Sequence, residues 1–103
     1  MSINIPNVFN SYGSVASAGT KVSGAGFASA KTGTGVYTLT LDQGADAAEC
    51  ACLVSRRGAA AAADGTFGVD HTSDTVKTVR YTEAGVAADV AFDFAVLNCP
   101  AGA

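Results

Sequence analysis

At 103 residues, with 15% charged side chains and a net charge of −3, the chain is short, weakly charged and slightly acidic. One domain is the expectation, and the acidic balance argues against a nucleic-acid binder, which carries a basic patch. No apolar run approaches the roughly 20 residues that a bilayer-spanning helix needs, so no membrane partner is expected.

Large apolar side chains are few: four Leu, two Ile and five Phe, with no Trp, among abundant Gly and Ala. A domain this small buries a modest fraction of its surface. With little charge to solvate the remainder, part of that surface is expected to be hidden against copies of the same chain.

The N-terminus, Met1-Ser-Ile-Asn-Ile-Pro6, has neither the basic start nor the apolar stretch of a signal peptide, so synthesis in a cytoplasm is expected. Ile3, Ile5, Val8 and Phe9 alternate loosely around Pro6, which disfavours a central strand. Residues 1–12 therefore read as an arm or edge segment. From Asn10 to Lys31 the chain is rich in Ser, Gly and Ala. Short strands are expected at Ser14–Ala18, Thr20–Ser23 and Gly26–Lys31, with turns at Gly19 and Gly24.

Thr32–Gly35 reads as a turn. Val36–Leu41 follows as a strong strand of alternating β-branched, aromatic and aliphatic residues. Asp42–Asp46 is the next loop. Ala47–Ser55 is a second strong strand, with Cys50, Cys52 and Val54 opposed to Ala51 and Leu53. Ala59–Ala63 is too short to stand as a helix in water and reads as a connector. Phe67–Asp70 is a small strand, Ser73–Asp74 a turn, and Thr75–Tyr81 a further strand. Thr82–Gly85 is a hairpin-type turn. Val86–Leu97 closes the domain as one strand, with Val90, Phe92, Phe94 and Val96 on its buried face. The domain is expected to run from 13 to 98, with residues 99–103 a short tail. Strands about ten residues apart, with Gly-rich turns and no helical period, indicate an all-β fold, an antiparallel β-sandwich or barrel.

Candidate chemistry is sparse. Cys50, Cys52 and Cys99 make an odd count, which argues for free thiols that serve as small apolar side chains. Cys-x-Cys with one distant Cys and one His is a weak match to a metal centre, so no metal and no cofactor are expected. Asp70-His71-Thr72-Ser73-Asp74 is the one cluster that suggests ligation or acid–base work, but neighbours on a strand point to opposite faces, and a polar turn explains it. No nucleophile elbow accompanies it, so no enzyme is expected. Arg56 and Arg57 could anchor an acidic partner surface. Asp89 and Asp93 read as the polar face of the last strand, within reach of Lys77 or Arg80 on the strand before it. Gly33 and Gly35 are turn residues, since no phosphate-loop Lys follows and no helix opens there.

Four stretches resemble a known kind of small β domain from tailed-bacteriophage virions: Ser17-Ala-Gly-Thr-Lys-Val-Ser-Gly-Ala-Gly-Phe27, Gly33-Thr-Gly-Val-Tyr-Thr-Leu-Thr-Leu-Asp42, Asp74-Thr-Val-Lys-Thr-Val-Arg80 and Gly85-Val-Ala-Ala-Asp-Val-Ala-Phe-Asp-Phe-Ala-Val-Leu97. The resemblance covers about the last four-fifths of the chain. It implies a homotrimeric β-sandwich without catalytic residues, as found at fibre tips and in small virion proteins. A chain that starts at Met1 leaves no length for a shaft, which points to a free-standing knob. The expected role is a capsid decoration or cement protein on the virion surface, whose partners are the major capsid protein and its own copies. The alternative is a receptor-binding knob of a head or tail fibre, with another fibre or spike protein as neighbour and Asp42–Asp46, Gly58–Gly65 and His71–Asp74 as contact loops. Ile3, Ile5, Val8, Phe9, Arg56 and Arg57 are the expected partner contacts.

Overall fold

The computed structural model describes residues 9–45, 50–57 and 65–98. These form two antiparallel sheets packed face to face as a β-sandwich, with no helix among the described residues. The strands are β1 (Phe9–Val15), β2 (Lys21–Ala25), β3 (Phe27–Gly33), β4 (Val36–Leu41), β5 (Cys50–Arg56), β6 (Gly65–His71), β7 (Val76–Glu83), β8 (Val86–Ala87) and β9 (Phe92–Asn98). One sheet runs β2-β1-β9-β5. The other runs β3-β4-β7-β6, with β8 paired to β7.

The first strand starts earlier than the sequence suggests. Residues 9–12, read as part of an arm, belong to β1, which lies between β2 and β9. Its alternation is hidden because its inward residues are Ser11 and Gly13. A Cβ on Gly13 would come within 2.5 Å of the Phe27 ring, so the missing side chain is the space that Phe27 fills. Ala16–Thr20, expected to be mostly strand, is a turn: Ala16 N–H donates to Thr20 O at 2.8 Å and Gly19 N–H to Ala16 O at 2.8 Å. Gly26, at φ 86°, bends the chain from the edge of one sheet to the edge of the other. At that angle a residue without a Cβ is favoured.

The closing strand is broken where the sequence reads as continuous. Ala84 and Gly85 both have positive φ, at 51° and 81°, the signature of a two-residue hairpin turn whose twist matches the flanking strands. That turn joins β7 to the short β8. The chain then leaves the sheet at Ala88–Ala91, crosses the core, and enters the opposite sheet as β9 between β1 and β5. The crossing is pinned twice. Val90 N–H donates to Tyr37 Oη at 2.9 Å, and Gly35 N–H donates to Asp89 Oδ1 at 3.0 Å. Tyr37 Oη in turn donates to Ser17 O at 2.7 Å, so one phenol joins a turn, a strand and the crossing. Because β7 and β9 lie in different sheets, the expected pairing of Asp89 or Asp93 with Lys77 or Arg80 does not form. Lys31 reaches Asp89 instead, at 2.6 Å.

The core is aromatic. Phe27 meets Phe94 edge-on at 4.6 Å, Tyr37 meets Phe92 at 5.2 Å, and Phe67 tilts onto Tyr81 at 4.6 Å. Val90, Phe92, Phe94 and Val96 are all buried, the face that alternation assigned to them. Truncating a buried Phe to Ala costs about 3–5 kcal/mol, so Phe92 and Phe94 are the largest single anchors on β9.

Candidate interaction surface

The outer face of the β2-β1-β9-β5 sheet carries two of the exposed large apolar side chains, Tyr12 and Leu53, while Val86 lies on β8 of the other sheet. Register aligns four residues across the sheet: Ala25 opposite Tyr12, Tyr12 opposite Ala95, and Ala95 opposite Leu53. Tyr12 is 53% exposed and Leu53 58% exposed, so both stand out from the surface. Leu97 and Ala51 form the next row on the same face. Leu53, Val54, Ser55, Asp93, Phe94 and Ala95 line a shallow depression of about 290 Å³ beside this row.

Polar groups border the row on one side. Ser14 Oγ donates to Asp93 Oδ1 at 2.6 Å, and Arg57 Nη1 lies 3.6 Å from the same carboxylate oxygen. The outer face of the other sheet differs in kind. There Ala30, Thr38, Thr78 and Asp70 align across β3, β4, β7 and β6. Thr72 and Thr78 join hydroxyls at 2.8 Å, and Arg80 reaches Asp70 at 3.9 Å. That face is threonine-rich and polar, whereas the opposite face carries Tyr12 and Leu53 with charge at its margin.

The two arginines expected as partner contacts point in opposite directions, Arg56 at the end of β5 and Arg57 just beyond it. Arg56 turns inward. Its Nη1 donates to Tyr81 Oη at 3.1 Å and lies 3.7 Å from Glu83 Oε1, which ties the β5 edge to β7 across the sandwich. Arg57 turns outward to Asp93, beside the apolar row. Phe9 opens β1 opposite Leu97. Ile3, Ile5 and Val8 lie outside the described residues, as do Cys99, Asp46 and the loop residues 58–64.

The Asp70–Asp74 cluster divides. Asp70 and His71 end β6, while Thr72–Thr75 form the turn to β7, closed by Val76 N–H donating to Ser73 Oγ at 3.1 Å. This turn meets the 42–45 loop. Ala45 N–H donates to Asp74 O at 2.7 Å and Leu41 N–H to Thr75 O at 2.7 Å. Lys77, fully buried, donates from Nζ to Ala45 O at 2.8 Å and Ser73 O at 2.9 Å, binding the two segments from within. His71 faces inward, with Nδ1 3.3 Å from Cys50 Sγ. Cys52, two residues along β5, also packs against the core, and its burial pushes the thiol up to about 11. Among the described residues, no three of His, Cys, Asp and Glu converge as metal ligands.

Sequence reasoning placed Leu53 opposite Cys50, Cys52 and Val54 but did not join it to Tyr12, which lay in a stretch read as an arm. Nor did it join Cys50 to His71, which are 21 residues apart and meet only when the sheets pack.

No protein-family model, curated protein or solved structure matches the chain. The fold defines its class, an all-β antiparallel sandwich.

Proposed function

We propose that this chain is a structural protein of a tailed-bacteriophage virion, synthesised in the host cytoplasm, that decorates the capsid and cements joints between major capsid subunits as a homotrimer. The observation that carries this reading is the in-register row Ala25, Tyr12, Ala95 and Leu53 on a rigid outer sheet face. Exposed, contiguous apolar side chains on a small domain mark an interaction surface. The resemblance of four strand stretches to phage virion domains supports the setting. In such a setting each contact is modest, and repetition over the shell multiplies its effect. Virions that lack the protein should release their genome at a lower temperature than complete ones. Equal heat tolerance would remove the cementing role.

A knob at the tip of a head or tail fibre is the second reading. It is favoured by the 42–45 loop and the 72–75 turn, which Lys77 holds together as one rigid end of the sandwich. Under that reading the purified protein binds host cells, and substitutions in these two segments abolish binding.

A further inference from the structure

The sandwich is closed on one side by the bend at Gly26 between β2 and β3. On the other side β5 and β6 are both edge strands, one from each sheet, and they lie against each other without ladder pairing. Cys50 and His71 meet at this seam, both half-buried, with Sγ and Nδ1 3.3 Å apart. A thiol beside an imidazole nitrogen is the arrangement that hands a proton away and leaves a nucleophilic sulfur. Both residues are only partly buried, so the pair is not sealed inside the core.

We propose that Cys50, backed by His71, is a thiol-modification site that takes low-molecular-weight disulfides. The step uses the His71 tautomer whose Nδ1 carries the lone pair, and the proton on Cys50 Sγ passes to that nitrogen. The thiolate attacks one sulfur of the incoming disulfide, a new S–S bond forms as the old one breaks, and the departing thiolate takes the proton back from His71. The disulfide is the oxidant, and the products are a mixed disulfide on Cys50 and one free small thiol.

The second thiol of the strand marks the contrast. Cys52 lies opposite Val96, a fully buried core residue, and desolvation keeps it protonated, with Cys50 adding to that effect and Lys77 opposing it. Lys77 also stands opposite His71 in the β6–β7 register, so among the described residues Cys52 and Lys77 are the titratable groups sharing this space on the adjoining strands. Two cysteines of the same type, two residues apart, therefore differ in reactivity. This inference is independent of the assembly reading.

The test treats the folded full-length chain with glutathione disulfide, maps the adduct by peptide mass, and measures thiol reaction rates at pH 7 with Ellman's reagent. The adduct should form on Cys50. Cys50→Ser should remove the fastest-reacting thiol, and Cys52→Ser should leave it. His71→Ala should slow the Cys50 reaction by about tenfold or more, and added imidazole should restore part of the rate, as expected for a lost general base. The same reagent on the chain unfolded in urea needs no variant and should show no such distinction between thiols. An adduct on Cys52 or Cys99, a Cys50 rate no higher folded than unfolded, a rate indifferent to His71→Ala, or a failure of imidazole to restore it would overturn the proposal.

Discussion

Arg56 Nη1 donates to Tyr81 Oη at 3.1 Å, so a charged side chain on the edge of one sheet is held by a buried phenol of the other. Gly65 makes room for this contact: a Cβ there would overlap the Tyr81 hydroxyl. The bond replaces a solvated arginine with an internal strut, and Glu83, 3.7 Å from Arg56, supports it. Tyr81→Phe and Arg56→Met should each destabilise the chain by about 1.5–3 kcal/mol, the range for a hydrogen bond to a charged group. The double variant should cost less than the sum of the two. Urea unfolding of the four proteins in the cycle measures this coupling, and strict additivity would show that the bond does not form in solution.

Gly35 and Gly85 separate two causes of glycine dependence. Both have positive φ, at 68° and 81°. A Cβ on Gly35 would lie 2.5 Å from Tyr81 O, whereas one on Gly85 would meet nothing within 4 Å. Gly85→Ala should therefore cost only the left-handed backbone penalty, about 1–2 kcal/mol. Gly35→Ala should cost more, about 3 kcal/mol or above, because the turn must also move away from β7. Thermal unfolding of the two variants side by side gives the comparison. Equal losses would contradict it.

The crossing from β8 to β9 carries a pH signature at its surface. The Lys31 ammonium, followed by the Gly35 N–H, holds the Asp89 carboxyl below its ordinary value of 3.8. The hydrogen bond to Asp89 raises Lys31 above 10.5. A depressed carboxyl contributes stability above its unfolded pKa and loses it as pH falls through the folded value. A raised amine contributes below its unfolded pKa and loses that as pH rises through the folded value. Both groups are solvent-exposed, so the effect is small and screened by salt. Asp89→Asn should lower the neutral plateau slightly and converge on the parent chain at low pH, so that the acid limb of the stability–pH curve below about pH 4 is flatter. An acid limb identical to that of the parent chain would contradict the assignment.

How much of this was legible in the sequence differs by strand. β4 and β9 were plain because Tyr37, Leu39 and Leu41, and then Phe92, Phe94 and Val96, alternate as large apolar side chains. β1 was obscured because Ser11 and Gly13 face the core, where a glycine receives a phenylalanine from another strand. The break at Ala88–Ala91 was invisible because Val90 keeps the alternating pattern through a segment that belongs to neither sheet. Alternation records which side chains are buried, and it does not record which sheet they are buried from. The apolar row was hidden for the same reason: Tyr12 and Leu53 are 41 positions apart, and register through Ala95 makes them one surface.

Leu53 tests that surface without disturbing the core. At 58% exposure it contributes little to the monomer, so Leu53→Asp should change its stability by no more than about 0.5 kcal/mol. A carboxylate buried in an apolar contact without a partner is costly, so if this face carries the proposed homotrimer contact, Leu53→Asp should abolish self-association. Analytical ultracentrifugation of Leu53→Asp beside the parent chain reads this directly. An unchanged assembly would place the contact elsewhere on the molecule.

The central claim is that this chain occupies repeated positions on a capsid and docks through the face bearing Tyr12 and Leu53. Electron cryo-microscopy of purified virions, with protein quantification, tests it most directly. The account predicts hundreds of copies spread over the shell, with the outer face of the β2-β1-β9-β5 sheet covered by neighbouring chains. A few copies confined to a fibre or tail tip, with that face turned to solvent, would contradict it.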